Sequence, residues 1–514
     1  MHLRFASLAA VIVLAAPTAF AATRTVGPGK TYDKPCAAFA AAADGDTVEI
    51  DASGSYGGDV CAFKKNNLTI KGVGGRAKID AAGKNAGGKG TWVIQGNDTT
   101  IENVELSGSA VADKNGAGIR QEGNNLTLKK MFFHDNENGI LGGGDATSSV
   151  VIEDSEFARN GNGDGYSHNM YIAEVKSFTL RGSYSHHAKI GHLVKSRALE
   201  NLILYNRITD ETGTASYEID LPQGGKSFVI GNIIQQSSST DNPSLISFAR
   251  ESKRNPDSAL FVVNNTFFNA RGSGTFITVA GDLGTPVVLR NNIFAGPGTV
   301  CDQASAIKDA NFIGDAMFVD GAGFDFHLKA GSPALDKGVA AGTGSGRPLE
   351  ALCQYVHPTR AVVRKAMGTT DQGGFELGGE TTTPCGGTLP GPTDAGPGTD
   401  AATGPDGAVG DSGAPPTEDT GVAGGDSATG DDSATVPTDD SGIATDTGGA
   451  TSDAAPTEEA AGCGCSTPRS TATPTSLLLG LFLYAFSRRR QGLARVRGVA
   501  RVVRAKEACD LRPE

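Results

Sequence analysis

Apolar and polar positions alternate in short runs along the first two-thirds of the chain, and one pattern keeps returning. It reads "IENVEL" from Ile101, "LKKMFF" from Leu128, "IEDSEF" from Ile152, "LRGSY" from Leu180, "LYNRI" from Leu204, "IGNII" from Ile230, "VNNTF" from Val263 and "LRNNIF" from Leu289. Successive intervals are 27, 24, 28, 24, 26, 33 and 26 residues. The segments are short, rich in β-branched residues and alternate with period two, which predicts strands. No helical pattern of adequate length separates them, and 71 glycines predict many tight turns.

A repeat of roughly 25 residues is too short for a four-stranded propeller blade, and the fixed leucines of a leucine-rich repeat are absent. Two or three short strands per repeat predict an all-β, single-stranded, right-handed parallel β-helix, whose coils stack at the ~4.8 Å strand spacing. Asparagine at the bend of successive coils suits this fold. Its amide hydrogen-bonds backbone groups that the turn leaves open, and also the next asparagine in the stack. The Ala-rich "DKPCAAFAAAADGDTVEI" predicts a short N-terminal cap helix running into a strand. "FDFHLKAGSPALDKG" predicts the last coil.

Stacked coils place equivalent side chains in ladders. In the strand preceding each repeat, Ile119, Ile140, Met170 with Ile172, Val194, Ile219, Ile246 and Ile277 are assigned inward. Their alternates then face out: Arg120, Leu141, Asn169 with Tyr171, Lys195 with Arg197, Glu218 with Asp220, Leu245 with Ser247, and Phe276 with Thr278. The polar set is centred on three consecutive coils. Tyr171, Lys195, Arg197, Glu218 and Asp220 are expected to share one patch.

Such a patch has a chemistry. Breaking a uronate polymer by β-elimination needs the substrate carboxylate neutralised, the C5 proton removed and the leaving oxygen protonated. Lys195 is the candidate base, with Arg197 lowering its pKa and binding the carboxylate. Tyr171 or a nearby histidine is the candidate acid. Arg120, Asn169, His168 and His192 are candidate substrate contacts, and Glu218 with Asp220 are candidate ligands for calcium. The same two carboxylates are also candidates for glycosidase chemistry, and the whole ladder reads alternatively as cross-strand ion pairs on a noncatalytic adhesin or matrix protein. His186 and His187 are expected in a turn, and with His192 they lack the spacing of a zinc site. In "NGNGDG" Asn160, Asn162 and Asp164 fit the start of a calcium loop, but position twelve is Tyr171 instead of glutamate, which predicts a plain turn.

Charge changes the picture by its position. Residues 1–365 carry 35 basic and 36 acidic side chains, residues 366–468 carry no Lys or Arg against 18 acids, and the last 46 carry 10 basic and 3 acidic. The acidic pI of about 5.2 therefore reports a linker, not a binding surface, and gives no support for nucleic-acid binding. Arg4, "LAAVIVLAA" and Ala19-Phe20-Ala21 form a secretory signal over residues 1–21. Export permits disulfides, for which Cys36, Cys61, Cys301 and Cys353 are the candidates, with Cys385 near the last two. The β-helix is expected over residues 22–380 and an acidic, disordered linker over 381–461. A monomer is expected.

With its repeats, cap and last-coil motif, the region from residue 22 to about 375 resembles the pectin-lyase-like, right-handed β-helix superfamily. The resemblance implies a fold that carries lyases, hydrolases, epimerases and adhesins. "VKSRALENLILYNRI" is similar to a Lys-Ser segment of alginate and chondroitin lyases of this fold, which implies Lys195 as base. The arginine-histidine-glycine segment expected one coil later is replaced by "SYEIDLP". "GCGCSTPRSTATPTSLLLGLFLYAFSRRR", within 462–490, resembles the C-terminal sorting tag of myxobacteria, the MYXO-CTERM type. That resemblance implies processing by cell-surface anchoring machinery near Cys463 or Cys465. The apolar run 476–486 is short beside the ~20 residues that span a bilayer. A basic tail, 491–514, follows. The whole predicts an exported protein, held at the cell surface or outer membrane or released, whose partner is an acidic polysaccharide.

Overall fold

A computed structural model describes residues 21–240 and 242–386. The body of the export signal, most of the linker, the sorting tag with Cys463 and Cys465, and the basic tail lie outside the described residues. The described chain is a parallel β-solenoid. One sheet has twelve strands, from Thr23–Val26 to Ile307–Asp309, and two have ten. Each strand hydrogen-bonds to the equivalent strand one coil before and one coil after. One ladder of this kind is Ile101, Leu128, Ile152, Leu180, Ile203, Val229, Val262 and Leu289. All eight are fully buried, one at each repeat.

The recurring polar residue proves to be two adjacent positions with different tasks. Two residues after each ladder member the chain turns through the left-handed region, at Asn103, Lys130, Asp154, Gly182, Tyr205, Gly231, Asn264 and Asn291. A side chain there costs about 1–2 kcal/mol, so Asn and Gly are favoured, but Lys130 and Tyr205 show that the coil imposes the turn regardless. The next residue points inward and satisfies the coil below. Asn206, Asn232, Asn265 and Asn292 each donate through Nδ2 to the Oδ1 of the following asparagine at 2.9–3.0 Å, ending on Asn311. Lower down, Ser155 and Ser183 take this place. Ser155 Oγ accepts from the Met131 N–H at 3.0 Å, and Ser183 Oγ accepts from the Ser155 N–H at 3.1 Å.

The cap helix is Pro35–Ala41. Phe39 packs against Phe63 and Trp92 at 4.6 and 5.2 Å between ring centres, and the Cys36–Cys61 disulfide ties the helix to the first strand of a ten-stranded sheet. At the other end the structure corrects two expectations. "FDFHLKAGSPALDKG" does not form a further coil: Asp325–Leu328 pairs antiparallel with Phe318–Asp320, and Phe318, Phe326 and Leu328 pack outside the solenoid on Ile233, Ile293 and Ala295. Cys301 forms no disulfide, because it stacks on Ile277 as an inward member of a core ladder. Cys353 instead pairs with Cys385.

That second disulfide closes a C-terminal arm. Its hairpin, Cys353–Val356 with Arg360–Val363, lies over Leu202, Leu204, Tyr205, Phe228, Ile230, Phe261 and Val263 on the outer face of the twelve-stranded sheet. Arg347 reaches Glu200 at 2.9 Å, and the buried Arg364 reaches the buried Glu376 at 2.9 Å.

Candidate functional site

The ten-stranded sheet from Cys61–Phe63 to Thr299–Cys301 carries the expected patch. Its strands Met170–Ile172, Val194–Ser196 and Ile219–Leu221 bury Met170, Ile172, Val194 and Ile219 completely, as the alternation predicts. Tyr171, Lys195 and Asp220 are consecutive rungs of the outer ladder. Lys195 Nζ stands 5.2 Å from the centre of the Tyr171 ring and the Arg197 guanidinium carbon 5.1 Å from it, so one aromatic ring serves two cations. Lys195 Nζ is 4.0 Å from Asp220 Oδ2. Burial pushes the Asp220 carboxyl up to about 6 against the opposing pull of Lys195.

His168 and His192 stand beside this ladder, one above the other with rings 4.5 Å apart. The His192 backbone N–H donates to His168 Nδ1 at 3.0 Å, and the Tyr217 N–H donates to His192 Nδ1 at 3.4 Å. An Nδ1 that accepts leaves the ring proton on Nε2. His192 Nε2 lies 3.5 Å from Asp220 Oδ2. Burial holds both imidazoles well below the usual histidine range, so at neutral pH they are neutral Nε2–H donors. Arg120 lies two rungs below Tyr171 on the same face, with Leu141 between them.

Two expected members of the site are elsewhere, and two further residues expected outward, Leu245 and Phe276, are buried in the core. Asn169 is completely buried. It accepts from Asn160 Nδ2 at 3.0 Å and donates to the His186 carbonyl at 2.9 Å, so it is a structural amide and not an outward substrate contact. Glu218 is completely buried too. The Val194 N–H donates to its carbonyl and its own N–H donates to the Leu245 carbonyl, which aligns it with buried Leu193 and Leu245. Neither of its carboxyl oxygens has a partner, and burial, with Asp210 nearby, raises its pKa well above the ordinary value. Both residues immediately precede a strand, where the chain rounds a corner and the alternation has not begun. Glu218 therefore does not join Asp220 as a calcium pair or as a glycosidase pair. Among the described residues no group of three or more His, Cys, Asp or Glu side chains could hold a metal ion, and Asp220 is a single carboxylate beside Lys195 and His192.

His186 ends a strand of another sheet, Tyr184–His186, instead of lying in the expected turn, and His187 follows it in the turn with φ +50°. His186 stacks on Tyr184 at 4.0 Å, and its Nδ1 is 2.7 Å from that of His187.

A residue outside the expected set closes on the patch. Glu251 accepts from Arg197 through two bonds, the Nε contact being 3.0 Å. It sits on loop 249–257, which is pinned by Lys253 on Glu174, three coils further down, at 2.6 Å and by Asn255 Nδ2 on the Ala198 carbonyl, two coils down, at 2.9 Å. The signal was present in the sequence. The interval from Ile230 to Val263 is 33 residues, the longest in the series, and this loop lies within it.

Pectate lyase Pel9A is similar to this chain with a TM-score of 0.47 at 14% identity, covering 70% of this chain and 97% of that one. The alginate lyase from Paenibacillus sp. str. FPU-7 is similar with a TM-score of 0.34 at 11% identity, covering 57% of this chain and 99% of that one. No protein-family model and no curated protein matches.

Proposed function

We propose that the outer face around Tyr171 binds an acidic polysaccharide and cleaves it by β-elimination. The observation that carries the reading is the Tyr171 ring shared by Lys195 and Arg197, with two neutral imidazoles alongside. A sugar ring stacks on an aromatic face, a uronate carboxylate pairs with a guanidinium, and hydroxyls accept from imidazole N–H groups. Lys195 is the base that takes the C5 proton, while Arg197 neutralises the carboxylate. The C5 electron pair forms the C4–C5 double bond, the C4–O bond breaks, and the Tyr171 hydroxyl protonates the leaving oxygen. His168 and His192 orient the sugar. The expected export supports this reading, since such polymers are met outside the cell.

A second reading, binding without cleavage, is favoured by Glu251, which holds Arg197 where a substrate carboxylate would sit. Ultraviolet absorbance of unsaturated uronates, followed with alginate, pectate and chondroitin with and without calcium, separates the two. Product formation that vanishes in Lys195→Ala supports elimination. Binding without product leaves the adhesin reading, and an active Lys195→Ala variant overturns Lys195 as base.

A further inference from the structure

A second cleft lies away from this sheet, between the turn ridge of the lower coils and the C-terminal arm. It has a volume of about 410 Å³ and takes its walls from Asn103, Lys130 and Asp154 on one side and from 359–362 and 382–385 on the other. Four cations line it, Arg76, Lys130, Arg181 and Arg360, against two carboxylates, Glu153 and Asp154. Lys130 is paired with Glu102 at 2.9 Å, and Arg181 is paired with Glu153. Arg181 Nη1 is buried with no hydrogen-bond partner, although its side chain is only 12% exposed. Among the described residues neither Arg76 nor Arg360 forms an ion pair, and the Arg76 guanidinium lies 5.7 Å from the Phe132 ring centre. Arg76 and Arg360, which carry no ion pair, leave guanidinium donors available to an anion in this cleft.

The lining also says which anion. A bare sulfate or phosphate would meet Glu153 and Asp154 at close range. A neutral sugar would leave the arginines without a counter-charge. The cleft has no aromatic wall for a base or other flat ring. An acidic sugar supplies both halves, a carboxylate for the guanidinium groups and hydroxyl donors for the two carboxylates. The volume is at the small end of ligand pockets, which run from about 300 to 1,000 Å³, and suits one or two sugar units better than a long chain. We infer that this cleft is a second binding site for an acidic saccharide, gripped by Arg76, Arg181 and Arg360. It stands apart from the proposed cleavage face and does not rest on it.

The test is calorimetric titration of the full chain with trigalacturonate and with trimannuronate, and with maltotriose as the neutral control. Two sites per chain are expected for at least one acidic trisaccharide, and none for maltotriose. Arg360→Glu, an exposed change on the hairpin, should weaken one site by about tenfold or more and spare the other. Lys195→Ala should do the reverse. If Lys195→Ala has no effect while Arg360→Glu still removes a site, the proposed face fails and the cleft stands. Equal binding by wild type, Arg360→Glu and Arg76→Glu overturns the cleft. So does equal binding of maltotriose. Failure of both acidic trisaccharides to bind overturns it as well.

Discussion

Two outer faces of the same coils meet opposite fates. On the sheet bearing Tyr171, Lys195 and Asp220 the outward ladder is aromatic and charged, and the C-terminal arm does not pack on it. On the twelve-stranded sheet the outward ladders are Leu202, Phe228 and Phe261, and Leu204, Ile230 and Val263, and the arm covers them. The inward residues of both sheets are the same kind of aliphatic rung. A solenoid therefore specifies its interior once per coil and leaves its exterior free. What is written on each outer face decides whether it becomes a second core or a working surface.

The sharpest way to break the contrast is to make the covered face resemble the open one. Phe228 is completely buried on that face. Phe228→Ala should cost about 3–5 kcal/mol, read by chemical denaturation, with the arm becoming sensitive to protease. Lys195→Ala on the open face should leave the unfolding midpoint within about 0.5 kcal/mol of wild type, yet lower turnover by about 10²–10⁴.

A pH series probes the open face and the corner that leads into it. Burial pushes Asp210 up to about 7 and Asp220 up to about 6, and raises Glu218 further. Folded carboxyls that hold protons more tightly than unfolded ones stabilise fully below pH ~4, and that contribution is lost as pH rises through 6–7. The melting temperature should therefore fall between pH 5 and pH 8. Asp210→Asn should flatten the fall, and a slope unchanged by it would remove Asp210 from the account. The smallest effect is expected from Glu251→Gln, which loosens the hold on Arg197. It should tighten binding of trigalacturonate at the sheet face by a few fold, about 1 kcal/mol at most. No change would make the Arg197–Glu251 pair purely structural.

Much of this is legible in the amino-acid sequence. The inward set on the site sheet and the stacking of its outer rungs follow from alternation and the repeat interval alone. What escaped did so for definable reasons. Asn169 and Glu218 precede their strands, so extending the alternation back by one residue turned interior groups into surface ones. Cys385 lay past the last repeat, where no periodicity constrains a partner, while Cys301 sat on a core rung that counting cysteines cannot reveal. The covered face was written in plain view. "LILY", "FVI" and "LFVV" are apolar at both parities, the mark of a strand buried on two sides, whereas Tyr171, Lys195 and Asp220 interrupt theirs. The arm itself has no repeat, and the two-sided apolar runs it covers are the signal that such a cover is needed.

The asparagine stack bears on how such a chain can change in length. Every amide from Asn206 to Asn292 hands a proton to the next coil in the same direction, and the Asn206 and Asn232 backbone N–H groups meet the following Oδ1 in the same way, each at 2.9 Å. One rung is therefore interchangeable with another. Excising residues 232–264 would present Asn206 with Asn265 in place of Asn232, the same acceptor for the same donors, and would carry the Glu251 loop away with the lost coil. A cut that does not run from one rung to another would leave a donor facing the wrong atom. Whole coils, not single residues, are the natural unit by which this protein could lengthen, shorten or shed the loop that guards its arginine.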